Sequence, residues 1–312
     1  MSDSPFAVLP GLTFLARLPG AECLARYQSA EGGSCLVERR PREGTPRKAD
    51  EFLANNMTEI VLRVREVHVD GDHAYLVYEG DAACALPARV HDRRWSEEQR
   101  VETLACLAKA LRDLHARGHV HGDLTPDAVL LREDGSVRFA AIVPPPAPSS
   151  SMSSKPGEAR TFGPTLNRIR ATGGALAYLA PEQFMANTTL AESDVFAWGC
   201  IAYELATGRS PFGFVTDPAK LLEAITKGPQ RPIHEVSPRF TESFDARVRA
   251  TLSIERSKRV LPSDLTGSVV EAPGATVTRE SRAAASATPR WVVPAVIVAV
   301  SCAALAYFAM AR

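Results

Sequence analysis

Paired cysteines, an excess of charge of either sign and a leader-like N-terminus are all missing from this sequence. Its six cysteines (Cys23, Cys35, Cys84, Cys106, Cys200, Cys302) are scattered with no C-x-x-C spacing. That excludes the usual zinc modules, argues against a disulfide framework and fits a reducing compartment. Lys+Arg and Asp+Glu stand at 36 each. With no basic surplus to neutralise a phosphate backbone, no nucleic-acid partner is expected. The opening MSDSPFAVLP has no charged stretch followed by an apolar run, so no secretory leader is read there. No internal repeat is found.

What is present describes a folded protein. Over 312 residues, 45% are hydrophobic and 23% charged, enough for a two-lobed globular unit with an appendage. The appendage is the one long apolar run. Residues 291–311 read WVVPAVIVAVSCAALAYFAMA, without a charge, between Arg290 and Arg312. At the helical rise this run spans about 30 Å, the thickness of a bilayer core. Trp291 stands where an interfacial anchor belongs, and Pro294 falls in the first turn, where its missing N–H costs little. A single transmembrane helix over 291–311 is therefore expected. Arg279, Arg282 and Arg290 precede it, and with no leader the bulk of the chain is expected on the cytoplasmic side. Residues 261–290, rich in Ala, Ser, Thr, Gly and Pro, read as a flexible juxtamembrane linker.

Residues 12–80 carry strand-like apolar runs around Cys35, from Val61 to Val69 and from Ala74 to Tyr78. The last two are joined by Asp70-Gly71-Asp72, a hairpin signal. Residues 48–58 read as a helix between them. From Ser96 the period changes. Ser96 and Gln99 form a capping-box pair, and Val101, Leu104, Ala105, Ala108, Leu111 and Leu114 make one apolar stripe ending before Gly118. A second helix is read from about Val195 to Ala206, closed by Gly208 and Pro211. The fold class is α+β: a small β-rich lobe over about 12–80 and a larger helical lobe over about 81–260.

After the long helix comes HVHGDLTPDAVLL from His119, then REDGSVRFA from Arg132. Further on lie ALAYLAPEQF, containing Ala180-Pro181-Glu182, and SDVFAWGCIAYELATGRSPF from Ser193. These motifs, in this order, resemble the catalytic loop, activation-segment end and organising helix of eukaryotic-like protein kinases, over residues 12–260. The closest likeness is to bacterial Ser/Thr kinases with a C-terminal membrane span.

The resemblance implies a set of site positions, and most are altered. Phosphoryl transfer needs a phosphate cradle, a phosphate-bound lysine, held Mg²⁺ and an oriented hydroxyl. The glycine positions of the phosphate loop, counted without gaps, fall on Ala16, Leu18 and Ala21. The lysine position is Glu38, and Arg39 is an unfavourable substitute because neighbouring strand residues face opposite ways. The two metal-ligand positions are Ala128 and Ala141, so no metal site is expected. Asp123 keeps the position of the base. His121, Glu182, Asp194 and Arg259 keep positions the resemblance assigns to holding the helical lobe together: Asp194 toward the catalytic-loop amides, Glu182 toward Arg259. A His115–His119–His121 metal cluster is set aside because its spacing is not a usual ligand pattern.

The expected function is that of a membrane-anchored pseudokinase, a cytoplasmic scaffold or regulator without Mg·ATP phosphotransfer. Its partner would be an active kinase, a substrate or a second copy. ATP and Mg²⁺ enter only under two alternatives: a weak Ser/Thr kinase using Asp123, or a nucleotide-binding switch without catalysis. The serine-rich residues 149–154 are either phosphate acceptors or a spacer.

Overall fold

The computed structural model describes residues 9–41, 59–140, 175–186, 188–213, 215 and 217–270. The helix read over 48–58, the serine-rich stretch, Ala141 and the apolar run 291–311 lie outside the described residues. No helix among the described residues is long and apolar enough to cross a membrane.

The β-rich lobe is a five-stranded antiparallel sheet in the order β1-β2-β3-β5-β4. Its strands are β1 (Leu12–Arg17), β2 (Leu24–Ser29), β3 (Ser34–Pro41), β4 (Val64–Asp70) and β5 (His73–Glu79). Gly71, at φ +55°, turns β4 into β5, as the Asp-Gly-Asp signal predicts. Alternation along β3 sorts its side chains to two faces. Cys35 and Val37 join Ala25, Tyr27, Tyr75 and Val77 in an apolar layer on one face. Leu36 faces the other way, into a cluster with Leu18, Leu24, Tyr78 and Leu130. That second face meets a three-stranded sheet of β6 (Cys84–Ala85), β7 (Val129–Leu131) and β8 (Val137–Phe139).

The helical lobe is built on two long helices, α2 (Glu97–Ala116) and α4 (Ala191–Thr207). Shorter ones accompany them: α1 (Pro87–Val90), α3 (Pro181–Met185), α5 (Pro218–Lys227), α6 (Ile233–Val236) and α7 (Glu242–Thr251). Ser96 and Gln99 close the capping box at the start of α2. The buried face of α2 is Leu104, Leu107, Ala108, Leu111 and Leu114, whereas Ala105, assigned to the stripe by sequence, is exposed. Leu107, three residues after Leu104 and four before Leu111, lies on the buried face, whereas Ala105 stands about 100° around the helix from Leu104. α4 starts earlier than its sequence suggests, and almost every side is apolar and buried. Such a helix belongs inside a lobe rather than on it. Trp198 donates its indole N–H to the Leu104 carbonyl at 3.1 Å, tying α4 to α2.

One boundary departs from expectation: the compact unit runs to Val270, so residues 261–270, expected to be linker, belong to the folded part. Leu261, Leu265 and Ser268 are buried, Val269 bridges Phe240, and Arg112 donates to the Pro262 carbonyl at 2.7 Å. The small, polar composition of this segment hid a few anchoring residues among many linker-like ones.

Arg259 and Glu182 meet inside the helical lobe. The guanidinium donates to the two carboxylate oxygens at 2.8 and 3.1 Å and lies 5.0 Å over the Phe196 ring. Ser193 also donates to Glu182, at 2.7 Å. Burial works to raise the Glu182 carboxyl, but the hydrogen bonds from Arg259 and Ser193 outweigh it and hold the group below the usual carboxylate range. Arg259→Ala should destabilise the protein by about 3–5 kcal/mol, because it strands a buried carboxylate. Adding Glu182→Gln should recover part of that loss in urea unfolding. A lowered folded pKa stabilises above the unfolded value and is lost as pH falls through the folded one. The gap between wild type and Glu182→Gln should therefore narrow in acid below the ordinary glutamate range.

Candidate functional site

The loop after α2 is held from below by one carboxylate. Asp194, in the first turns of α4, is 1% exposed. It accepts the backbone N–H groups of His121 and Gly122, each at 2.8 Å, and contacts His115 Nε2 at 2.9 Å. Gly122 sits at φ +80°, a conformation in which a side chain would be strained. His121 is buried, stands edge-on to Phe139 at 4.9 Å, and accepts the Asp123 N–H at Nδ1. Asp123 is half-buried at the bend.

The loop then enters a short 3₁₀ turn, Pro126–Ala128, and β7. The Ala128 carbonyl accepts the N–H of Ala140 at 2.9 Å. This sets Ala128, one of the two positions expected to hold a metal, against the end of the strand after it, and it carries only a methyl group. Asp127, the adjacent carboxylate, is exposed.

Above this floor stands Glu38. It lies on β3 between Leu24 and Leu76, 8% exposed, and accepts a hydrogen bond from the Tyr78 phenol. Tyr78 pairs with Leu36 in the register, two residues from the rung of Glu38, and the alternation puts all three on the face toward the small sheet. Arg39 belongs by alternation to the opposite face, that of Cys35 and Val37. The three positions counted as the phosphate loop divide. Ala16 lies within β1, past a bulge, rather than in a loop. Leu18 and Ala21 lie in the turn joining β1 to β2, at 1% and 5% exposure. The strands are separated by six residues, 18–23, so Ala16 is the one of the three that falls before the connection.

Four residues in three contacts had no sequence signal of their own. Tyr78 is one, since its contact with Glu38 depends on register. Gln183 is another: its amide donates to the Gly122 carbonyl and accepts the Ala180 N–H, both at 3.0 Å, linking the loop to α3. The third is the pair Tyr178–Glu204, where the phenol donates to the carboxylate at 2.5 Å. Burial pushes the Glu204 carboxyl up despite that hydrogen bond, and burial together with the nearby Glu204 charge pushes the Tyr178 phenol up as well.

Comparison with known proteins agrees with this layout. The model of the protein kinase domain matches residues 48–266, which is 219 of 312 residues. A probable serine/threonine-protein kinase of Streptomyces coelicolor is 29% identical over 194 residues, covering 61% of this chain and 27% of that protein. PkaB of the same organism is 34% identical over 161 residues, or 49% of this chain and 36% of its own. Human PAK 4 is 27% identical over 236 residues, 72% of this chain and 37% of its own. The chain thus spans less than two fifths of the length of these relatives.

The Tyr178–Glu204 pair gives a pH-dependent expectation. A carboxyl whose folded pKa is raised costs stability while ionised, and the cost is relieved as pH falls through that raised value. Tyr178→Phe removes the donor, so it should lower stability by about 1–3 kcal/mol at pH 7. The deficit should shrink in mild acid, as Glu204 takes up a proton. Melting temperatures of the two proteins from pH 4 to 8 check this.

Proposed function

Because this chain belongs to the protein kinase domain family, we propose that it is a member without Mg·ATP phosphotransfer, a regulator that works by binding another protein. The observation that carries the reading is Glu38, a buried carboxylate on the cleft-facing side of β3 where the resemblance calls for a lysine. A negative charge there repels phosphate and removes the electrostatic preorganisation on which such transfer depends. Methyl groups at Ala128 and Ala141 offer no hard oxygen ligand, so the residues present do not fit a magnesium nucleotide.

The parts that remain suit a scaffold. Asp194, Glu182, Arg259 and Gln183 hold the loop, α3 and α4 together without touching any phosphate position. The partner is a protein: an active kinase, a substrate or a second copy of this chain. The uncharged run 291–311 supports a single-pass anchor with the folded part on the cytoplasmic face.

A second reading is favoured by two observations: Asp123 is kept, and the relatives bear the names of serine/threonine-protein kinases. In that reading the chain is a weak Ser/Thr kinase with Asp123 orienting the hydroxyl. A third, nucleotide binding as a switch, shares its test. Melting of the full chain in detergent should be unmoved by ATP or ADP, with or without Mg²⁺ or Mn²⁺. A ligand at about 100 times its Kd would add about 2.7 kcal/mol of stability and be plainly visible. Incorporation of γ-phosphate that disappears in Asp123→Asn would overturn the proposal in favour of the weak kinase. A nucleotide-dependent melting shift without transfer would favour the switch. Glu38→Lys alone should remain inactive, since the metal positions are still methyl groups.

A further inference from the structure

The turn between β1 and β2 does more than lack glycines. Leu18 is 1% exposed and belongs to the same apolar cluster as Leu36 of β3, Tyr78 of β5 and Leu130 of β7, each of them fully buried. The cluster therefore joins the cleft-facing side of the large sheet directly to the small sheet below it. The backbone of the turn is docked as well: the Pro19 carbonyl accepts the Ala85 N–H at 2.9 Å. Gly20, at φ +81°, lies so close to the start of α1 that an added Cβ would meet the Ala88 nitrogen at 2.4 Å and the Ala85 oxygen at 2.9 Å. A side chain, a backbone hydrogen bond and a steric fit thus hold the same turn against the same segment.

We infer that residues 18–23 are a built-in plug: Leu18 and Ala21 of the turn fill the cleft between the two sheets, the turn fixes the two lobes in one arrangement, and it must be displaced before a planar ligand such as a nucleoside can enter. This goes beyond the loss of phosphate and metal groups. Those losses would leave a cleft still able to hold an uncharged base, whereas the plug closes it to the base too. The closure is mostly apolar, so its release requires a partner or ligand that supplies equivalent burial rather than charge.

Hydrogen–deuterium exchange on the full chain tests this, with adenosine as the probe because it carries neither phosphate nor metal. In the wild type, peptides covering residues 18–24 and 84–90 should exchange at least about tenfold more slowly than an unstructured chain. About 1 mM adenosine should leave them unchanged. Leu18→Ala removes the anchoring side chain, and Gly20→Ala lifts the turn without altering the cluster. Each should speed exchange in those peptides, leave α4 protected, and bind adenosine at least about tenfold more tightly than the wild type. Fast exchange of residues 18–24 in the wild type would overturn the plug. So would adenosine binding to the wild type as tightly as to the variants, or released turns that gain no adenosine binding. If a variant loses protection throughout α4, the wild-type measurements decide alone. Adenosine binding to the wild type without γ-phosphate transfer would remove the plug and leave the proposed function standing. Transfer from Mg·ATP would remove the proposed function.

Discussion

One buried carboxylate sets the geometry on which the helical lobe depends. Asp194 takes two backbone N–H groups and a histidine from the loop after α2, and it does so from a helix that is itself enclosed on nearly every side. Without it, those amides would be buried and unpaired, at a cost of about 1–3 kcal/mol each. With it, the loop has a fixed path: His121 turns inward, Gly122 takes its left-handed conformation, and β7 starts in register with β8. None of this requires a phosphate or a metal. The loop's shape is therefore separable from its chemistry, and a chain can give up the second while folding through the first.

The cleft illustrates the separation from the other side. A site that admits a ligand has to leave space, and empty volume between packed sheets costs about 24 cal/mol per Å³. Here the space is taken by Leu18, Leu36, Tyr78 and Leu130, none more than 1% exposed. Glu38 is the exception in an otherwise apolar surface, and the Tyr78 phenol is placed to donate to it. A buried carboxylate without hydrogen bonds would be a heavy penalty; with a donor on the neighbouring strand it becomes tolerable.

How far the sequence carried can be judged from particular residues. The two lobes, the hairpin at Gly71, the capping box at Ser96 and the positions of Asp194, Glu182 and Arg259 were legible because each has a local pattern or a family motif. Tyr78 was not, because its role arises from pairing with β3, and register is a property of two strands together. The place of Ala16 within β1 was hidden for a similar reason, since the end of a strand is set by its bulge and its pairing with β2. Residues 261–270 looked like linker because composition averages over a segment. The anchoring there comes from Leu261, Leu265 and Ser268 and from backbone carbonyls that any residue supplies.

The pattern of what is kept and what is changed follows from where each group sits in the energy balance. Glu182–Arg259 and Asp194 are buried ionic groups, and removing one member leaves its partner stranded, so single substitutions there are costly. The glycine, lysine and metal positions stabilise a bound nucleotide rather than the fold, and substituting them can even relieve unfavourable exposure or void. Once the demand for phosphate handling is lifted, the cleft is free to be packed and the ionic scaffold is not free to be lost. Under the proposed function, the packed cleft and the ionic scaffold together give a solid surface, better suited to holding a partner than to opening and closing around a substrate.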